Sequence, residues 1–197
     1  MDNKELISNI LEASTNGVIT TKDINSAGLH RNVLQKLVNT GELTRFGRGL
    51  YIRNNVWEDD FYMLQSKYSR GVFSHETALY LWGYTDRTPS KYTLTFPKGY
   101  NTPSLEKENV IIKRSILENY NLGITEVQSP SGNLIRIYDL ERSLCDILRG
   151  NNNDIQIVNA AMKKYAASKD KDIYKLMKYA EQLHVKPKVL RYMEVLL

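Results

Sequence analysis

The stretch TTKDINSAGLHRNVLQKLVNTGELTRFGRGLYIR, Thr20 to Arg53, constrains the fold more than any other part of the chain. Its middle places Val33, Leu34, Leu37 and Val38 on one stripe of a helix and Arg31, Asn32, Gln35, Lys36 and Asn39 on the other. Gly41 closes that helix. Before it, Thr20 or Thr21 can cap a short helix over about Lys22 to Ala27, with Asp23 in the first turn where it suits the helix dipole. Gly28 can adopt the left-handed conformation that stops this helix, and Leu29 then turns the chain inward. Earlier still, Leu6, Ile7, Ile10 and Leu11 predict an amphipathic helix over about residues 3 to 14, followed by a brief extended link at Val18 and Ile19. After Gly41, the runs Leu43 to Phe46 and Leu50 to Arg53 surround Gly47, Arg48 and Gly49 as the strands of a hairpin.

Helix, helix, turn, helix, hairpin is the order of a winged helix-turn-helix. The outward side chains of the third helix carry donors and amides at the spacing that reaches base edges and phosphates in a major groove, with no carboxylate among them. A wing beside it would bring Arg45, Arg48 and Arg53 to the phosphate backbone or a minor groove, with Gly47 and Gly49 allowing close approach. From Thr20 to Arg53 there are six Lys or Arg against two acids, a local basic excess where that geometry needs one. The expected partner is double-stranded DNA. The competing expectation is a winged helix used for protein contacts.

The rest of the chain predicts a second, larger domain. Asn54 and Asn55 break the wing, so the boundary is expected between residues 55 and 56, giving domains 1–55 and 56–197. Asn55 can cap a helix lined by Trp57, Phe61, Leu64 and Tyr68, and Ser74 can cap another over His75 to Trp82 that Gly83 ends. KYTLTF at 91 to 96, ENVIIKR at 108 to 114, and ITEVQ and LIRIY around the SPSG turn read as strands of a small, mostly antiparallel sheet. Asp139 can cap a helix with Leu140, Leu144, Ile147 and Leu148 inward, and three more helices should finish the chain. The fold class is therefore α+β. In the segment Lys171 to Leu183, Ile173, Leu176, Met177 and Ala180 oppose Lys171, Lys175 and Lys178, either a second basic surface or an ordinary solvated lysine face.

Composition narrows the function classes. Hydrophobic content of 42% and charged content of 25% fit a folded domain, and the net charge of +5 favours polyanions only where the charges cluster. The start MDNKELISNILEAS does not read as a signal peptide and no run is long enough to span a bilayer, so a cytoplasmic protein without membrane attachment is expected. A single cysteine, Cys145, excludes an internal disulfide. With scattered His30, His75 and His184 it offers no metal-ligand spacing. No cofactor is expected. His75 beside Glu76 lacks a nucleophile, Cys145 lacks an activating partner, and Asp59 with Asp60 lacks the third carboxylate of a nucleotidyl-transfer site. The glycines at 47 to 49 lack the lysine and helix of a phosphate loop, so a non-enzymatic chain is expected.

The blocks GVITTKDINSAGLHRNVLQKLVNTGELTRFGRGLYI, FSHETALYLWGYTDRTPSKYTLTFPKG and YDLERSLCDILRG together resemble the AbiEi-type antitoxins of bacterial abortive-infection, type IV toxin-antitoxin systems. The resemblance implies that the amino-terminal domain binds inverted repeats in its own promoter and represses transcription. It also implies that the larger domain neutralises a nucleotidyltransferase-like toxin without a stable complex. DNA contact would fall to Arg31, Gln35, Lys36, Arg45 and Arg48, while Ser74, His75, Glu76, Asp86, Arg87, Glu141, Arg142 and Asp146 are motif positions without an assigned role. No dimerisation heptad is visible, so the expectation is a monomer in solution with two copies meeting on an inverted repeat. Alternative classes are a ligand-responsive winged-helix regulator and a DNA-tethered nuclease.

Overall fold

Local capping chemistry sets the amino-terminal architecture. In the computed structural model, which describes residues 7–10, 12, 17–47, 49–54, 59–101, 109–150 and 153–196, residues 7–10 are helical. Ile7 and Ile10 pack on the core that follows, residue 12 is helical as well, and the other residues of the expected first helix lie outside the described residues. Strand β1 (Val18–Thr20) leads directly into helix α1 (Thr21–Ser26). Thr20 is the cap: its hydroxyl accepts from the Asp23 amide at 3.2 Å, and the Asp23 carboxylate accepts from the Thr20 amide at 2.8 Å. This reciprocal pair satisfies two of the amides a helix start leaves unpaired. The stop is equally local, with Gly28 at φ +74° and the Leu29 amide donating to Ile24 O at 3.0 Å.

Helix α2 (Asn32–Asn39) follows, then the hairpin of β2 (Leu43–Gly47) and β3 (Leu50–Arg53). The link expected at Val18 and Ile19 is a true strand: β1 pairs antiparallel with β3, Val18 opposite Ile52, giving the sheet order β1-β3-β2. Val-Ile-Thr is β-branched throughout, and three residues are too few for periodicity to reveal a strand. Beneath the helices lies a core of Ile19, Ile24, Leu29, Leu34, Leu37, Leu43 and Tyr51, with Val33 and Val38 at its margin. The stripe expected on the third helix is therefore the buried one.

Helix α3 (Asp60–Lys67) is capped by Asp59, whose carboxylate accepts from the Tyr62 amide at 3.1 Å. The expected cap, Asn55, lies outside the described residues. Asp59 is 5% exposed and also accepts from Ser129 Oγ at 2.5 Å and Asn133 Nδ2 at 2.6 Å, so this carboxylate is consumed structurally. These bonds account for the division of the chain. One compact unit runs to Ser69 and takes in Gln128–Leu134; the other comprises Arg70–Val127 and the chain from Ile135 onward. The break expected at residues 55 and 56 thus falls after Ser69, because α3 and the 128–134 segment share Asp59.

The second unit is built on a five-stranded sheet of β4 (Val72–Phe73), β5 (Tyr92–Pro97), β6 (Val110–Ser115), β7 (Ile124–Gln128) and β8 (Leu134–Tyr138), in the order β6-β5-β4-β8-β7. The α+β class stands. The sheet is mixed instead of mostly antiparallel: β4 is antiparallel to β5, but β5 and β6 run parallel through six residue pairs and β4 is parallel to β8. Strand alternation carries no information on direction; that follows from the long connection between β5 and β6, which allows a parallel crossover.

Helix α4 (His75–Leu81) joins β4 to β5, and a short helix α5 (Leu117–Asn121), not expected from its mixed composition, follows β6. Then come α6 (Leu140–Arg149), α7 (Ile155–Ala167), α8 (Ile173–Gln182) and α9 (Lys186–Leu196). Helix α6 is central, buried from Glu141 through Leu148 and packed by α4, α7, α8 and α9. Its apolar residues join Leu79, Ala161, Met162, Leu176, Ala180 and Val189 in the larger core.

Candidate nucleic-acid interface

Helix α2 holds its outward residues where the sequence placed them. Arg31, Asn32, Gln35, Lys36 and Asn39 are all exposed, while Leu34 and Leu37 are buried beneath. Arg31 occupies the cap position with a helical backbone and makes no capping bond, so its side chain is uncommitted at that end. The Asn32 amide instead donates to His30 Nδ1 at 3.3 Å. Gln35 Nε2 donates to Asn39 Oδ1 at 3.2 Å, one turn apart, which aligns the two amides along the helix. The first turn of α2 carries no acidic residue, so its amide dipoles favour an approaching anion.

The hairpin is pinned at both ends. At its base, Thr44 Oγ1 donates to Asn54 Oδ1 at 2.5 Å and Asn54 Nδ2 donates to Gly41 O at 2.6 Å. At its tip, the Thr21 amide donates to Gly49 O at 3.0 Å. Gly49 has φ +73°, and a Cβ there would sit 2.9 Å from Thr21 Oγ1, so only glycine lets the wing close on α1. A register shift between Arg45 and Gly47 bends β2, and Arg45 Nε donates to Gly47 O at 3.4 Å across the bend. Phe46, exposed on the same strand, lies under Lys67 Nζ at 5.6 Å from the ring centroid.

Between helix α2, the start of α1 and the wing lies an open polar concavity of about 680 Å³, lined by Thr21, Asn25, Arg31, Asn32, Gln35, Arg45, Gly49 and Tyr51. Two arginines, three amides and two hydroxyls line it, and among the described residues no carboxylate does. Arg31, Asn32, Gln35 and Arg45 thus converge as expected. Lys36 and Asn39 stay on the exposed face of α2 beyond the rim, and Arg48 lies outside the described residues. Arg53 is not part of the concavity: it is half-buried at the opposite end of β3, paired with Leu43, and its amide donates to Gly17 O at 2.9 Å. The strand carries Arg53 away from the tip, so it does not join the residues that line the concavity. Thr21, Asn25 and Tyr51 were not anticipated; the four-residue spacing of Thr21 and Asn25 on one face of α1 was the available signal.

The expected second basic surface is largely consumed. Lys175 Nζ lies 3.0 Å from Asp139 Oδ2 and 2.9 Å from Glu141 Oε2. Burial disfavours its charge, but the hydrogen bonds and negative charges of Glu141 and Asp139 outweigh that and hold it above the usual lysine range. Lys171 Nζ donates to Ser168 O at 3.0 Å, leaving Lys178 exposed. The carboxylates opposite Lys175 sit at the cap and first turn of α6, where spacing within one segment cannot reveal them.

Most motif positions of the second unit are structural. Arg142, 1% exposed, binds Asp146 Oδ1 through Nε at 3.1 Å and Leu122 O at 2.9 Å, also donates to Asn119 O, and lies over the Tyr138 ring at 4.2 Å. Glu141 accepts from Tyr165 OH at 3.1 Å. Arg87 pairs with Asp154 at 2.5 Å, and Asp86 is exposed. Asp154 also accepts the Gln156 amide at 2.9 Å; that bond, reinforced by Arg87, lowers its pKa. Ser74 stands at the cap position of α4 but its side chain makes no capping bond, and His75 follows it at φ +53°. Its hydroxyl instead accepts from Thr95 Oγ1 at 2.8 Å and meets His75 Nδ1 at 3.0 Å. Glu76 is half-buried on α4. Cys145 is fully buried, and that burial pushes its thiol pKa up, as suits an inert core residue.

Against known proteins, residues 9–54 match a family described as "Transcriptional regulator, AbiEi antitoxin". The match bears out the AbiEi-type resemblance over the amino-terminal module. No curated protein matches the chain. The crystal structure of the RV2827C protein from Mycobacterium tuberculosis is similar over 96% of this chain and 80% of that one, with a TM-score of 0.53 at 13% identity. At that identity the likeness concerns the fold. Among the described residues, no helix is long and apolar enough to cross a membrane.

Proposed function

We propose, from the regulator-family match over residues 9–54 and the concavity beside α2, that this chain is a DNA-binding antitoxin that represses its own operon. Helix α2 enters the major groove of an inverted-repeat operator, where Asn32 and Gln35 meet base edges and Lys36 a flanking phosphate. Arg31 and Arg45 grip the backbone from either side of the concavity. The observation that carries this reading is that concavity: arginines and amides contributed by helix and wing, with no carboxylate among its described lining residues. An ordinary solvated face mixes both signs, whereas a polyanion site favours an excess of positive charge.

The larger unit neutralises a nucleotidyltransferase-like toxin without a stable complex, and the chain itself carries out no catalysis. It acts in the cytoplasm as a monomer, two copies meeting on the repeat. Two measurements on the full chain separate these roles. Protection of inverted repeats upstream of its own gene is expected in a footprinting assay and is lost in Arg31→Ala/Arg45→Ala; no protection at low salt contradicts the repressor assignment. Growth rescue on co-expression with a nucleotidyltransferase-like toxin from the same operon is expected for both wild type and the double variant. Absence of rescue by the folded wild-type chain contradicts the antitoxin assignment.

A further inference from the structure

Within the second unit, β6, α4 and the carboxyl-terminal end of α6 meet at a small pocket of about 200 Å³ that the DNA-binding reading does not use. His75, Thr95, Lys113, Ser115, Asp146 and Arg149 are among its lining residues. Its volume lies below the range for drug-sized ligands, roughly 300–1,000 Å³, so any occupant is small.

Two atoms in its wall lack what a buried polar atom requires. Asp146 is 3% exposed and gives Oδ1 to Arg142, but its Oδ2 has no hydrogen-bond partner among the described residues. Ser115 is 8% exposed, and its Oγ is equally unpartnered. Buried side-chain oxygens are nearly always paired, and an unpaired one is costly. Two such atoms lining one pocket point to a ligand that supplies their partners. Arg142 does not do so: its Nε serves Asp146 Oδ1, its Nη1 serves two backbone carbonyls, and Oδ2 is left without a bond.

Backbone strain coincides with the same place. His75 is one of two non-glycine residues with positive φ among those described, at +53°. Such a conformation costs on the order of 1–3 kcal/mol and persists where the surroundings impose it. The chain Thr95 Oγ1 to Ser74 Oγ to His75 Nδ1 fixes the imidazole at the pocket wall. Burial lowers its pKa; Asp146 opposes that, while the positive charges of Lys113, Arg142 and Arg149 add to it. The ring is therefore neutral at neutral pH and leaves the anion-binding charge to Lys113 and Arg149.

We propose that this pocket binds a small phosphate ester bearing a hydroxyl group. Lys113 and Arg149 hold the phosphate, while the hydroxyl donates to Asp146 Oδ2 and Ser115 Oγ closes the remaining bond. Inorganic phosphate alone fits less well, because it satisfies the cations but presents its own negative charge to the carboxylate. A sugar phosphate and the ribose phosphate part of a nucleoside monophosphate share the required chemistry, the base of the latter extending out of the open pocket.

Titration calorimetry on the full chain at pH 7 tests this with four probes: ribose 5-phosphate, adenosine 5′-monophosphate, ribose and inorganic phosphate. At least one of the two esters binds, and tighter than inorganic phosphate, while ribose gives no heat; the better ester identifies the source. Lys113→Ala and Arg149→Ala each weaken ester binding about tenfold or more, the loss expected for a charge-assisted hydrogen bond. Asp146→Asn keeps the oxygen that Arg142 uses; it weakens the ester about tenfold while leaving inorganic phosphate unchanged or tighter. Where Asp146→Asn melts early, the half-buried Lys113 variant decides. Absence of binding by both esters at millimolar concentration overturns the proposal. So does ester binding undiminished in the Lys113 and Arg149 variants, or equal losses of ester and phosphate in Asp146→Asn.

Discussion

Replacing Lys175 with methionine separates a lysine that builds the fold from one that decorates a surface. The variant keeps the aliphatic stem and removes the ammonium that bridges Asp139 at 3.0 Å and Glu141 at 2.9 Å. Breaking a fully buried pair costs roughly 3–5 kcal/mol, because the partner charge is left without compensation. Here the side chain is 35% exposed, so water screens part of the interaction. Both carboxylates also keep other donors, Tyr179 OH on Asp139 at 3.1 Å and Tyr165 OH on Glu141 at 3.1 Å. The expected loss is therefore about 2 kcal/mol. With a urea slope of about 2 kcal/mol/M, the midpoint falls by about 1 M.

Trp82 belongs to the same unit and donates to Tyr138 O at 2.9 Å, so its fluorescence reports that unit's unfolding once Trp57 is replaced by phenylalanine. The pH dependence has a definite sign. A lysine whose folded pKa is raised contributes its full stability below the unfolded value of about 10.4 and loses it as pH rises through the folded value. The deficit of the methionine variant should therefore be equal at pH 7 and pH 9 as far as this lysine is concerned. A loss below about 0.5 kcal/mol, the size of an exposed pair, would refute the network and restore Lys175 to a free basic surface.

Gly49→Ala combines a left-handed backbone with a 2.9 Å clash against Thr21 Oγ1, so it should cost at least about 1–2 kcal/mol and loosen the wing; amide hydrogen exchange in β2 and β3 checks this, and unchanged protection contradicts it. Thr20→Ala removes one half of the capping box and should destabilise the amino-terminal unit by about 1 kcal/mol in thermal unfolding, with a neutral result counting against the cap. Arg142→Lys keeps the charge but cannot reach Asp146, Leu122 O and Asn119 O together; chemical unfolding should show a loss of about 2 kcal/mol or more, and wild-type stability would refute the fork.

What could be read from residues alone followed short-range chemistry. Thr20, Gly28, Leu29 and Gly41 mark starts, stops and an inward turn within a few residues, and the stripe Val33, Leu34, Leu37, Val38 needs only helical periodicity; all took their expected places. ITEVQ and LIRIY, strongly alternating beside a clear turn, emerged as β7 and β8 with the expected limits. Strand direction was not legible, because alternation is the same in either direction and the connection between β5 and β6 is long enough for both. Lys175 was misjudged because its partners Asp139 and Glu141 precede it by more than thirty residues on another helix. Ser74 looked like a cap by type and position, but its hydroxyl bonds Thr95 on β5, a partner that local spacing cannot reveal. At the interface, residues on one helix were legible as a set, while Thr21, Asn25 and Tyr51 entered through tertiary closure of the wing.

The most direct test of the central claim is the salt dependence of binding to a duplex carrying the operator repeats. Each phosphate neutralised contributes about 0.9 to the slope of log K against log salt. Arg31, Lys36 and Arg45 together contribute about 2.7 per copy, and roughly twice that for two copies. Arg31→Ala and Arg45→Ala should each flatten the slope by about 0.9 per copy and weaken binding to all sequences alike. A slope unchanged in both variants, or no binding at low salt by the folded protein, would contradict the claim that helix α2 and the wing grip a duplex.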